Sequence, residues 1–223
     1  MHQILSFLEQ LEAHNTTERM HAHQPAYKAA KEKLLNTAQF LIDQISAFDS
    51  TLGELYPPET VFRLAKDTRF SKDKSPYKTN MGIVIAPGGK KSIFPCYYIH
   101  LQPGNRSFLA GGIYHPEQPI QTAVRDHLIT HRTSLEQIIE SNAFMKIRGS
   151  IHGDAYKKVP RGYPVDHPAG DLFKQKDRLV DRVIGDDEIL SEDFLEKTIE
   201  QFRVLTPYNN RLHEAIMAML KNQ

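Results

Sequence analysis

The chain has 223 residues, 40% of them apolar, with a formal net charge of +1. That is enough apolar material for a substantial core. The near-neutral balance gives no bulk field for nucleic acid or an anionic membrane, and the longest clean apolar run, "MGIVIAP", falls far short of the roughly 20 residues that cross a bilayer.

The first 50 residues read as helical. Ile4, Leu5, Leu8 and Leu11 recur at helical spacing, which gives one buried face. Asn15, Thr16 and Thr17 interrupt that helix and offer caps for the next. From Pro25, well suited to a first helical turn, an apolar stripe of Leu34, Leu35, Ala38, Leu41, Ile42 and Ile45 runs to about Phe48. "YPPET" at 56–60 breaks the pattern, and the period then changes to two. "TVFRLAKD" is expected to be a strand over 60–67, followed by strands in "TNMGIVIAP", "IFPCYYIHLQ" and "RSFLAGGIY". "PGGKK" and "PGN" are the turns between them, and turns this short imply antiparallel pairing. In the "CYYIHLQ" strand, Tyr97, Ile99 and Leu101 share one face, expected to meet helices. Cys96, Tyr98, His100 and Gln102 share the other. Gly111 and Gly112 leave room for another backbone or a ligand.

Helical spacing returns from Glu117 to about Glu140. Residues 148–170 form a long loop rich in Gly, Pro and His, a kind of segment that often carries function. "DLFKQKDRLV" is expected to be a helix, and the chain ends in one or two helices starting near Ser191 and Asp193. No linker or repeat divides the chain. The expectation is a single α+β domain over 1–223: helical over 1–50, mainly strands over 60–114, and mainly helical from 117 onward. The lone Cys96 cannot close an internal disulfide. The opening "MHQILSFLEQLEAHN" carries Glu9 and Glu12 where a secretory leader would be apolar. A soluble cytoplasmic protein is expected.

Charge is concentrated in one place. "RLAKDTRFSKDKSPYK", residues 63–78, holds Arg63, Lys66, Arg69, Lys72, Lys74, Lys78 and Tyr77, with Asp67 and Asp73 among them. This stretch, with "YYIHLQPGNRSFLAGGIYHP" and "KKVPRGYPVDHPAGDLFKQK", resembles an uncharacterised bacterial family, domain-of-unknown-function family 2461. The hallmark of that family is an Arg-x-x-Arg-Asp-x-Arg-Phe segment closed by a lysine and a tyrosine. It maps here onto Arg63, Lys66, Asp67, Arg69, Phe70, Lys74 and Tyr77. Lys66 stands where the family has arginine, so the planar fork is lost at that position. "HNTTERM" replaces the family's Asn-Asn and Trp-Phe run, and the chain has no tryptophan. The resemblance spans nearly the whole chain and implies a fold, but no reaction.

Three readings of the basic segment stand open. If Arg63, Asp67 and Arg69 share a sheet face with Tyr98 and His100, that face is an anion pocket, with Lys66 adding charge and Lys74, Tyr77 and Lys78 closing it. Asp67 then orients an arginine, or acts as a base with His100 as partner acid. Alternatively, Asp67 contacts Arg63 or Arg69 in an internal network that pins the loop 71–80. The third reading is a solvated basic face. A second candidate is "KKVPRGYPVDHP", with Lys157, Lys158, Arg161, Tyr163, Asp166 and His167 on a loop stiffened by proline. The same residues also suit a rigid crossing loop with a helix start at Pro168 and Asp166 near its cap. His152 and Asp154 are a weaker version of the same idea.

Other signals fail. The eleven histidines lack metal-site spacing, since His21 and His23 have no second pair. "APGGKK" reads as a hairpin turn rather than a phosphate loop, and the acidic 186–200 stretch reads as a solvated helix face. No motif implies a cofactor. The leading expectation is binding of a small anionic ligand, phosphorylated or nucleotide-like, and action on it. The rival is an interaction module for an acidic protein or RNA, with Tyr77 and Tyr98 for stacking. A third possibility is a partner subunit whose arginines are purely structural.

Overall fold

The computed structural model of the chain describes residues 1–69, 72–148, 153–167 and 170–222. Helices α1 (His2–Ala13), α2 (Thr17–Ala22), α3 (Gln24–Ser46) and α4 (Pro57–Thr60) come first. Strand β1 (Met81–Ile85), a 3-10 turn at Gly89–Lys91, β2 (Cys96–Leu101) and β3 (Ser107–Ile113) follow. Next are α5 (Gln118–Ile139), α6 (Asn142–Arg148), α7 (Gly170–Lys174), β4 (Arg178–Ile184), α8 (Asp186–Leu190) and α9 (Phe194–Lys221). The strands make one four-stranded antiparallel sheet in the order β1-β2-β3-β4. The fold is α+β, with helices at both ends of the chain.

The chain divides into two compact units. The first comprises Met1–Lys90, Tyr98–Leu109 and Val183–Ile199, and the second Lys91–Tyr97, Ala110–Arg182 and Glu200–Gln223. In the first unit α1 packs on α3, and α3 packs on β1. The helical stripes read from the sequence are the buried ones: Ile4, Leu5, Leu8 and Leu11 on α1, and Leu34, Ala38, Leu41, Ile42 and Ile45 on α3. Thr16 caps α2, its Oγ1 accepting from the Arg19 N–H at 3.2 Å, and Pro25 lies in the first turn of α3.

In the second unit α9 supplies Phe202, Leu205, Tyr208, Leu212 and Ile216 to the core. Tyr97 packs against Phe202 with ring centroids 5.3 Å apart and donates its hydroxyl to Thr206 Oγ1 at 3.0 Å. Strand β2 alternates as its pattern requires: Tyr97, Ile99 and Leu101 are buried, while Cys96, Tyr98 and His100 are half-buried.

Two expected elements differ. Residues 60–67 do not form a strand, and only the isolated bridges Val61–Ile83 and Ala65–Tyr77 occur there. The backbone groups have other partners. Lys90 Nζ donates to the Pro58 and Val61 carbonyls at 2.8 and 3.1 Å. The Lys66 N–H donates to the Pro76 carbonyl and the Lys78 N–H to that of Leu64, both at 2.9 Å. The segment is therefore a stapled loop in which Leu64 is buried and Phe62 exposed.

The second correction is "DLFKQKDRLV". The helix α7 lasts five residues, and the chain then enters β4 at Arg178. Strand β4 is held by a distant partner, β3, and the space beside Gly112 is what admits it. A Cβ on Gly112 would lie 1.8 Å from the Arg178 carbonyl oxygen, and its φ of +99° also disfavours a side chain. The room expected over Gly111 and Gly112 is taken by the Leu205 side chain and the Arg178 backbone, respectively.

Candidate functional site

The basic segment braces itself. Arg69 forks onto Asp67, with Nε to Oδ1 at 3.0 Å and Nη2 to Oδ2 at 2.7 Å, and its backbone N–H adds a bond to Oδ1 at 3.2 Å. These bonds hold the Asp67 carboxyl below the usual carboxylate range. The expected Asp67–arginine contact is thus made with Arg69, on the surface: the Arg69 side chain is 77% exposed. Lys66 pairs with Asp73 at 2.5 Å, and Lys74 Nζ donates to the Thr68 carbonyl at 2.9 Å. Asn15 clamps the Tyr77 backbone, donating to its carbonyl at 2.9 Å and accepting from its N–H at 3.2 Å. Phe70 lies outside the described residues. Arg63 makes no hydrogen bond or ion pair among the described residues. Lys78 meets no carboxylate there, and its ammonium lies 5.6 Å from the Phe62 ring centroid. Burial, and secondarily the Arg63 charge, pull the Lys78 pKa down.

Phe62 leads to the outer face of the first unit's strands. Its ring meets Tyr98 edge-on at 6.4 Å, and Tyr98 and His100 both pack on Phe108, His100 in a stacked pair at 4.5 Å. Gly82 makes room for Tyr98, since a Cβ there would lie 2.6 Å from the phenol oxygen. A chain of hydrogen bonds crosses this face. Gln102 Nε2 donates to Thr79 Oγ1 at 3.4 Å, which leaves Gln102 Oε1 to accept from His100 Nε2 at 3.1 Å. His100 Nδ1 then accepts from the Tyr98 hydroxyl at 3.2 Å. Burial lowers the His100 pKa, which favours the neutral ring. Both His100 nitrogens are engaged, and His100 and Asp67 do not hydrogen-bond each other. The period-two pattern pointed to Tyr98, His100 and Gln102. Phe62 and Thr79 join them through tertiary contacts that carry no local signal.

The model of the DUF2461 family, described as conserved hypothetical protein, matches residues 3–210. The chain is a member of the DUF2461 family. No curated protein and no solved structure matches it.

In this DUF2461 member the second candidate loop lies in the second unit. Lys157, Lys158, Val159, Val165, His167, Asp171 and Lys174 line a cleft of about 490 Å³. Lys174 is paired there with Asp171 at 2.8 Å. Arg161 and Asp166 are exposed and do not line it. Tyr163 donates to Asp126 at 2.8 Å, and burial, with Asp126 as its acceptor, pushes its phenol up to about 12. The Asp154 N–H donates to buried Asp177 at 2.9 Å. His152 and Pro168 lie outside the described residues.

Sequence reasoning missed two residues of the second unit, Arg125 and Arg178, both almost fully buried. Arg125 Nε donates to the Phe173 carbonyl at 2.7 Å, and Nη2 to Gln121 Oε1 and the Gln175 carbonyl, both at 3.2 Å. The Tyr156 and Tyr163 rings lie 5.2 and 5.9 Å from its guanidinium. The available signal was phase: Arg125 sits beside Val124 and Leu128 on α5, and Arg178 is in step with Val180 and Ile184 on β4.

Among the described residues no group of three or more His, Cys, Asp or Glu side chains has the geometry to hold a metal, and no helix is long and apolar enough to cross a membrane. Desolvation pushes the Cys96 thiol up to about 12, which disfavours the thiolate at neutral pH.

Proposed function

We propose that this chain binds a small anionic ligand on the outer face of the first unit's strands, with Lys78 and Arg63 as its cations. The observation that carries this reading is that neither forms an ion pair or side-chain hydrogen bond with a described carboxylate, although the Arg63 charge is felt at Asp67. Lys66, Arg69 and Lys74 are engaged within the basic segment. Arg63 and half-buried Lys78 instead bear on each other, and an added phosphate or carboxylate relieves that repulsion. Phe62, Tyr98 and His100 add flat ring surface beside the cations, which suits a ligand with a planar part. The lone cysteine is consistent with a reducing, cytoplasmic setting.

Isothermal titration with a panel of nucleotides, sugar phosphates and dicarboxylates tests the reading. Lys78→Met and Arg63→Met should each weaken binding about ten-fold or more with the fold intact, because a charge-assisted hydrogen bond is worth about 1.5–3 kcal/mol. Binding that survives both substitutions unchanged refutes it.

A second reading has its own observation. Arg63 and Arg69 are exposed rather than recessed, as suits a face that meets an acidic protein or RNA. Under that reading the small-molecule panel is silent, while a polyanion such as heparin or single-stranded RNA binds with a steep salt dependence.

A further inference from the structure

We infer that the second unit holds a separate, interior anion site, in which Arg178 and Arg125 receive a phosphate or carboxylate group. Arg178 lies on the buried side of β4, 2% exposed, in step with Val180. A guanidinium presents five N–H donors. Arg178 Nη1 is sealed from solvent and has no hydrogen-bond partner, and the side chain forms no ion pair with any described residue. Arg125, 1% exposed, is close enough for its charge to bear on Arg178. Its described hydrogen bonds go to two carbonyls and an amide, never to a carboxylate.

The buried carboxylate nearest in sequence is already occupied. Asp177 Oδ1 accepts from the His115 N–H at 2.7 Å, and Oδ2 from the Asp154 N–H at 2.9 Å. Tyr208, a polar group beside Arg178, donates its hydroxyl to the Arg178 carbonyl at 3.1 Å. Burial lowers the Arg178 pKa only to about 10, so the side chain remains a cation at neutral pH. Two interior cations that pair with no described carboxylate are a strongly unfavourable arrangement. An oxyanion between them would supply the missing counter-charge and accept from the orphaned Nη1. The fork geometry of arginine matches the oxygens of phosphate and carboxylate.

The experiment uses the full chain, with inorganic phosphate, pyrophosphate and succinate as probes. Wild-type Tm should rise with at least one of them. Arg178→Met and Arg178→Gln should abolish that rise, corresponding to a loss of affinity of about ten-fold or more. In the absence of the probe, Arg178→Met should melt no lower than wild type, because the substitution removes an uncompensated interior charge. Lys78→Met and Arg63→Met should keep the rise, so this site and the one on the outer face fail independently. Hydrogen exchange on wild type needs no variant: the effective probe should slow exchange in peptides covering 153–167 and 170–180. No rise with any probe, a rise that survives both Arg178 substitutions, or protection confined to 63–80 would overturn the inference.

Discussion

The segment 63–78 and the pair Arg125 and Arg178 handle positive charge in opposite ways. The segment gathers six basic side chains into sixteen positions. Its ion pairs, Lys66 with Asp73 and Arg69 with Asp67, lie at the surface, where water screens them. The two arginines are isolated in sequence and buried in structure, and no described carboxylate pairs with either. Local charge density therefore says little about electrostatic consequence. A crowd of exposed charges is nearly neutral for stability, while one interior guanidinium must be met by hydrogen bonds or a counter-ion.

The largest effect should come from the interior. Arg125→Ala removes the donor to the Phe173 and Gln175 carbonyls and the cation between Tyr156 and Tyr163. Each buried acceptor left unpaired costs about 1–3 kcal/mol. A total of about 3 kcal/mol or more lowers Tm by roughly 6–12 °C in a chain of this size. Scanning calorimetry reads it directly, and an unchanged Tm would erase the contrast between the two regions.

How far each region could be read from the sequence follows the same division. Helices α1, α3 and α5 emerge from periodicity because the apolar stripe is itself the cause of their burial. The register of β2 emerges because Tyr97, Ile99 and Leu101 alternate strictly with half-buried neighbours. The Asp67–Arg69 pair is readable because its partners are two residues apart. Strand β4 is not, since "RLV" after a lysine-rich run fits a helix until β3 and Gly112 are in place. The expected strand at 60–67 fails for the converse reason. Two alternating apolar residues are too few, and Lys90 and the 76–78 backbone take the hydrogen bonds. Arg125 and Arg178 look like ordinary surface residues because no local pattern records that their phase is the buried one.

A middle effect should appear on acidification. Burial lowers the His100 pKa, so between the folded and unfolded values the unfolded chain binds more protons. This contribution is fully present above about pH 6.5, the unfolded value, and is lost as pH falls through the lower folded value. Protonation also ends the acceptance from the Tyr98 hydroxyl. Tm followed from pH 7.5 to 5 should therefore fall, and His100→Gln should flatten part of that fall. The remainder is expected from His127 in the second unit, whose pKa is also lowered, first by burial. An identical slope in wild type and His100→Gln would show that the outer-face chain is not coupled to folding.

The smallest effect is the one that crowded charge would make seem largest. Arg69→Ala deletes a two-pronged bond to Asp67. The pair is open to water, and exposed ion pairs of this kind contribute little to stability because solvent screens them. Its Tm change should therefore stay within roughly 4 °C and shrink further as salt is raised. Asp67 is left solvated rather than stranded, because its carboxylate already faces water. A fall as large as that of Arg125→Ala would mean that the segment 63–78 pins the fold, and that exposure at Arg69 is no guide to its role. A small change in stability combined with lost ligand binding would instead give Arg69 a part in recognition, bringing it into the site proposed around Lys78 and Arg63.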